Sequence, residues 1–151
     1  MAEDRSYIAQ NDAQRARLRA LVDRLTDQEL ARPLSAGWTV AGVLAHLAFW
    51  DQRVLALLER WEQGGSPSAA PRINPADIDW INDSAKALCL ALPPRAAAHL
   101  AVATADAVDR KVAAVPADFL AANVAAGNPI NLLRAHHRRE HLDEIERALA
   151  R

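Results

Sequence analysis

His137 and His141 lie four residues apart in the stretch Leu133-Arg134-Ala135-His136-His137-Arg138-Arg139-Glu140-His141. Both fall where the helical pattern calls for a buried apolar residue. Residues at i and i+4 share a helix face, with Cβ atoms about 5–6 Å apart, so two imidazoles at this spacing can grip one metal ion. Ile130, Leu133, His137, His141 and Ile145 form one slowly drifting stripe, and the histidines interrupt it. His46 does the same in another helix, between Val43, Leu47 and Trp50. Burying three imidazoles without partners costs about 1–3 kcal/mol each. One divalent ion would satisfy all three. Three protein ligands leave a coordination position open, which is the pattern of a catalytic rather than a structural zinc site. Imidazole suits zinc, nickel and iron, so composition alone does not choose the metal.

The neighbours of these histidines carry weaker signals. Glu140 or Glu144 could orient an imidazole N–H, although a solvated helix face is the simpler reading of both. Asp51 and Asp143 read as surface residues, with Asp143 expected to pair with Arg139 and Arg147. Arg134 and Arg138 are candidates for an anion clamp on a carboxylated substrate or a thiol cofactor. The bland alternative is that they and Arg139 are solvated cations offset by Glu140, Asp143 and Glu144. Trp50, one turn from His46, is the best candidate for a pocket wall. Trp38, Trp61 and Trp80 read as core or pocket wall. His99 and His136 read as ordinary, and Cys89, in Ala87-Leu88-Cys89-Leu90, reads as core with no basic neighbour to activate its thiol.

The elements that must position these residues are helical throughout. A first helix is predicted from Tyr7 to Leu25, with Leu18, Leu21, Val22 and Leu25 on one stripe. Thr26-Asp27-Gln28-Glu29 is a capping box. Pro33 and Gly37 then break the chain. Thr39 caps a long helix to about Gln63, whose inner stripe is Val43, His46, Leu47, Trp50, Val54, Leu57, Leu58 and Trp61. Gly64-Gly65-Ser66-Pro67-Ser68 ends it. The irregular segment to Asn74 is suited to a lid or pocket rim. Asn74-Pro75 opens a third helix to about Ala91, with Ile78, Ile81, Leu88 and Leu92 as its apolar positions. Pro93-Pro94 starts a fourth, with Leu100, Val102, Val108 and Val112. Pro116 opens a short helix with Phe119 and Leu120. Asn128-Pro129 repeats the N-cap/Pro signal and is expected to start the last helix. The fold class this predicts is all-α: a four-helix bundle with crossing, up-up-down-down-like topology, plus one or two short extra helices.

Composition bounds the remaining choices. A chain of 151 residues, 51% hydrophobic and 25% charged, is expected to form one domain over residues 1–151 with a single sizeable core. Its formal net charge of -1 gives no general attraction for nucleic acid or acidic membranes. No apolar run approaches the roughly 20 residues of a membrane span. The charged start Met1-Ala2-Glu3-Asp4-Arg5 shows no signal peptide, and one cysteine fits a reducing compartment. A cytoplasmic location is therefore expected. Bundles of this size often pair through exposed apolar helix surface, so a homodimer is a candidate assembly.

Two stretches together carry a resemblance. Gly37-Trp38-Thr39-Val40-Ala41-Gly42-Val43-Leu44-Ala45-His46-Leu47-Ala48-Phe49-Trp50-Asp51 resembles the second-helix signature of the DinB-like superfamily. His137-Arg138-Arg139-Glu140-His141-Leu142-Asp143-Glu144-Ile145 resembles its C-terminal His-x-x-x-His helix. The resemblance implies a crossing four-helix bundle with a divalent metal held at His46, His137 and His141, zinc or nickel being the expected ion. Members include thiol-dependent S-transferases using mycothiol or bacillithiol, the mycothiol-dependent maleylpyruvate isomerase, and metal-dependent hydrolases. The isomerase type has a Glu at the position of His137 and carries an additional C-terminal domain, so the three-histidine set is more similar to the bacillithiol-transferase and hydrolase branch. The implied activity is thiol transfer to a small electrophile, with hydrolysis through a metal-bound water next. A non-catalytic helical binding module with a vestigial site is the rival from another class.

Overall fold

The structure is a computed structural model describing residues 3–64 and 73–151. Among the described residues seven α-helices follow one another: α1 (Tyr7–Arg24), α2 (Asp27–Leu30), α3 (Val40–Glu62), α4 (Pro75–Ala91), α5 (Pro94–Ala113), α6 (Ala117–Ala125) and α7 (Ala135–Leu149), with a 3₁₀ turn at Ser35–Gly37 before α3. No strand forms among the described residues, and the all-α expectation holds. Helix starts follow the capping chemistry of the sequence. Thr26 and Glu29 complete a capping box on α2, Thr39 accepts from the Gly42 amide at the head of α3, and Asn74 and Asp77 form a second box on α4.

Helices α1, α5, α3 and α7 pack as a ring, each against the next. Their directions follow from the contacts. Tyr7 donates to the Val112 carbonyl while Arg95 reaches the Val22 and Leu25 carbonyls, so α1 and α5 are antiparallel. Lys111 pairs with Glu62 at one end, and Ala97 and Ala98 share a core cluster with Val40 to Leu44 at the other, so α3 and α5 are parallel. Asp51 meets Arg134 while His46 meets His137, so α7 runs against α3. In chain order the ring reads up, down, down, up, the up-up-down-down order displaced by one helix. The connection through α4 makes this crossing possible, because it returns the chain to its starting end before α5 begins.

The ring encloses a core in two parts. One gathers Leu18, Leu21 and Leu25 with Val40 to Leu47 and the alanines of α5. Ala97, Ala98, Ala101 and Ala105 present no bulk, which lets α5 lie close along α3. The other gathers Val54 to Leu58, Val108, Val112, Phe119 and Ile130. Helix α3 is long and apolar enough to cross a membrane, yet it is mostly buried inside the fold, as befits a central core helix.

Helix α4 differs from its expected packing. It lies outside the ring and runs antiparallel along α3, buried only through the small residues Ala85 and Cys89. A Cβ on Gly42 would come within 2.7 Å of Leu90, so this glycine permits the close approach. The larger apolar residues expected to face the core point outward: Leu88 is 74% exposed and Trp80 59%, with Ile78 and Leu92 also exposed. Leu100 of α5 is exposed as well.

The last helix starts later than its Asn128-Pro129 signal. Asn128 takes a positive φ of 55°, and residues 128–134 are not helical. Side-chain amides from other helices outcompete the local signal. Asn123 brackets Ile130, accepting from its amide and donating to its carbonyl. Asn11 of α1 donates to the Leu132 carbonyl and accepts from the amides of Arg134 and Ala135. Arg134 provides no side-chain cap to its own helix, so Asn11 caps α7 from across the bundle. The predicted stripe is therefore broken, since Ile130 and Leu133 belong to the lead-in. The buried face of α7 is Ala135, Arg138, Leu142 and Ile145.

Candidate metal centre

His46 in α3 and His137 and His141 in α7 meet at one point. The Nε2 atoms of His46 and His137 are 3.1 Å apart. Ring centroids are separated by 5.1 Å for His46–His137, 4.9 Å for His46–His141 and 4.8 Å for His137–His141, all edge-to-face. One nitrogen from each of the three rings can be chosen so that all lie within 4.8 Å of one another. Two imidazole nitrogens on one tetrahedral zinc ion, at the usual bond length, lie about 3.3 Å apart. The His46–His137 pair is close to that spacing, and His141 offers a nitrogen within 4.8 Å of both. The donor set therefore fits a divalent ion.

The electrostatics favour ligation too. Burial, with the charge of His141 adding to it, lowers the His46 pKa to about 4. Burial, then His141, His46 and the cations Arg134 and Arg138, lowers that of His137 to about 2. Both rings are held neutral near pH 7, the form that ligates metal. His141 Nδ1 lies 3.0 Å from Glu144 Oε2. With the proton on Nδ1, that bond turns the lone pair of Nε2 outward for coordination. Glu144, which read more simply as a surface residue, thus orients His141. His46 has no such support, for its Nδ1 is buried with no hydrogen-bond partner. Trp38 packs edge-on against the His46 ring at 5.6 Å.

Beneath the histidines lies a buried ionic network that the sequence reading missed. Arg138 is 1% exposed. It donates to both oxygens of Asp109 at 2.7 Å and to Asp51 at 3.1 Å. Arg134 donates through Nε to the other oxygen of Asp51 at 2.9 Å, and Arg15 reaches Asp109 at 3.0 Å. Burial works against the Arg138 charge, but the hydrogen bonds and charges of Asp109 and Asp51 outweigh it and raise its pKa. Asp51, read as a surface residue, is 2% exposed. Asp143 pairs with Arg17 of α1, not with Arg139 or Arg147. The network ties α7 to α1, α3 and α5 one turn from the histidines.

The three histidines open into a cleft of about 1050 Å³. Its floor is α3, its walls are α4 and α7, and the 3₁₀ turn closes one end. Trp50 lines it, as expected, and donates to Asn82 of α4 at 2.9 Å. Arg53, Arg134, Glu140 and Glu144 line it as well. Arg138, expected beside Arg134 as a substrate contact, does not, because its guanidinium is spent on Asp51 and Asp109. Of the segment expected to form a lid, residues 65–72 lie outside the described residues, and Ile73 lines the cleft. His99 and His136 are exposed, Cys89 is buried and Trp61 packs on Phe119 at 4.6 Å.

A family model for the mycothiol maleylpyruvate isomerase N-terminal domain matches residues 12–146. The chain belongs to that family. It is part of the DinB-like superfamily, as the two motifs implied. The match lies on the mycothiol side, where the three-histidine set had pointed toward the bacillithiol-transferase and hydrolase branch. No curated protein and no solved structure matches the chain.

Proposed function

We propose that this protein is a divalent-metal-dependent enzyme that transfers a low-molecular-weight thiol to a small electrophilic molecule. The observation that carries the reading is the convergence of three imidazoles at the base of an open cleft, in a family whose description names mycothiol. His46, His137 and His141 would hold the ion, with zinc or nickel suited to such a set. When bound, the ion supplies Lewis acidity that lowers the pKa of a thiol or water in its open position. The chain's own groups do the rest. Glu144 fixes the orientation of His141, burial keeps His46 and His137 unprotonated, and Trp38 and Trp50 form apolar wall beside the centre. Mycothiol is the first thiol to test. The same open position suits water, so hydrolysis is the second reading.

The test incubates metal-loaded protein with mycothiol and a panel of electrophiles, following thiol loss. Consumption that needs both metal and His137 supports thiol transfer. Ester cleavage without thiol supports hydrolysis instead. A protein that keeps its metal and turns over neither class is a binding module, and the enzymatic reading fails.

A further inference from the structure

We infer that the guanidinium of Arg134 is a docking point for a carboxylate on a reactant whose other end lies over the three histidines. This names the substrate class of the site proposed above and rests on that reading for the chemistry, though not for the anion contact.

Arg134 is 5% exposed and held from two sides. Its backbone amide is fixed by Asn11 and its Nε by Asp51. The side chain is therefore locked before any ligand arrives. Among the described residues its two terminal nitrogens donate to no acceptor, and the residue lines the cleft. The Nη1–Nη2 edge of a guanidinium matches a carboxylate in a two-bond fork. That edge is not sealed inside the protein, so it faces the cleft, where an anion can meet it. The fold places an acid on the Nε side only. Four carboxylates face the same cleft, Asp79 and Asp83 from α4 and Glu140 and Glu144 from α7, and none bonds Arg134. Arg53 of α3 lines the same region, its guanidinium carbon 6.0 Å from the Trp50 ring. It feels the Arg134 charge, which together with burial lowers its pKa. Two cations thus border one end of the cleft. Arg134 has helical backbone angles, so it shares a face with His137, three residues on. A carboxylate docked there would lie about one helical turn from the histidines.

The test is calorimetric titration of the full chain, as isolated and after dialysis against a chelator. One arm compares 3-mercaptopropionate with its amide. The other compares 3-chloropropionate with its amide in the presence of 2-mercaptoethanol. Each pair differs only in the carboxylate. The acid should bind about tenfold or more tightly than the amide in at least one arm, with or without metal. The preference should vanish in Arg134→Gln and survive in part in Arg134→Lys. Preference in the first arm assigns the carboxylate to the thiol, and in the second to the electrophile. Equal affinity in both arms, or a preference that survives in Arg134→Gln, overturns the inference. The wild-type comparison needs no variant, so misfolding cannot obscure it. If chelation leaves the affinity of the mercapto-amide unchanged, the metal–thiol reading fails while the carboxylate site stands.

Discussion

Replacing Arg138 with Leu removes the guanidinium at the centre of the buried network and leaves an apolar stem where almost no water reaches. Arg138 makes two bonds of 2.7 Å to Asp109 and one of 3.1 Å to Asp51. Breaking a buried ion pair by deleting one partner costs about 3–5 kcal/mol, because the other charge stays buried. Here Asp109 keeps Arg15 and Asp51 keeps Arg134, which places the loss near the lower end, about 3 kcal/mol. For a chain of this size a urea m-value of about 2 kcal/mol/M converts that to a midpoint lowered by about 1.5 M. The assay is urea unfolding followed by tryptophan fluorescence, with Asp109→Leu and the double variant alongside. The double variant should be less destabilised than the sum of the singles by about 1 kcal/mol or more, since the two groups share one network. A midpoint shift below about 0.5 M, or strict additivity, would refute the claim that this network clamps α7.

Three further outcomes follow from the same geometry. Asn11→Ala strips two amides and one carbonyl at the start of α7 of their partner; it should cost about 2 kcal/mol and raise hydrogen exchange in the first turn of α7 most. Glu144→Ala should weaken metal affinity about 10- to 100-fold while leaving the melting temperature of the metal-free protein nearly unchanged, which competition with a chelating dye can read. For pH, His46 and His137 are pushed down from the ordinary 6.5 to about 4 and about 2, so the fold favours their neutral forms. Metal-free protein should hold this contribution above about pH 6.5 and lose it as pH falls, toward 4 for His46 and on toward 2 for His137, by up to about 1.4 kcal/mol per pH unit for each histidine. The loss should be shallower in His46→Gln, and equal urea midpoints at pH 7 and pH 5 would contradict it.

Much of this was legible in the sequence because the informative signals are local. Capping residues at Thr26, Thr39 and Asn74 fix helix starts through bonds spanning three residues, and an i,i+4 histidine pair is a property of one helix. What escaped depends on partners far along the chain. Asn11 and Asn123 hold residues 130–134 out of the helix that Asn128-Pro129 announces. The apolar period of α4 says that Leu88 is hydrophobic but not that α4 lies outside the ring. Arg138 and Asp51 look like surface charges because a buried salt bridge has no sequence period. Their one trace is position: Arg138 lies four residues before Leu142 and Asp51 four after Leu47, each on a buried stripe. A charge in such register, on two helices and of opposite sign, is the signal that could have found them.

If His46, His137 and His141 form one metal site, its occupancy depends on each of them. The direct test is elemental analysis of untagged protein, wild type beside His46→Ala, His137→Ala and the exposed control His136→Ala. Close to one divalent ion per chain is expected in the wild type and in His136→Ala, and essentially none in the other two. A wild type that carries no ion, and takes up none when zinc or nickel is supplied, would contradict it.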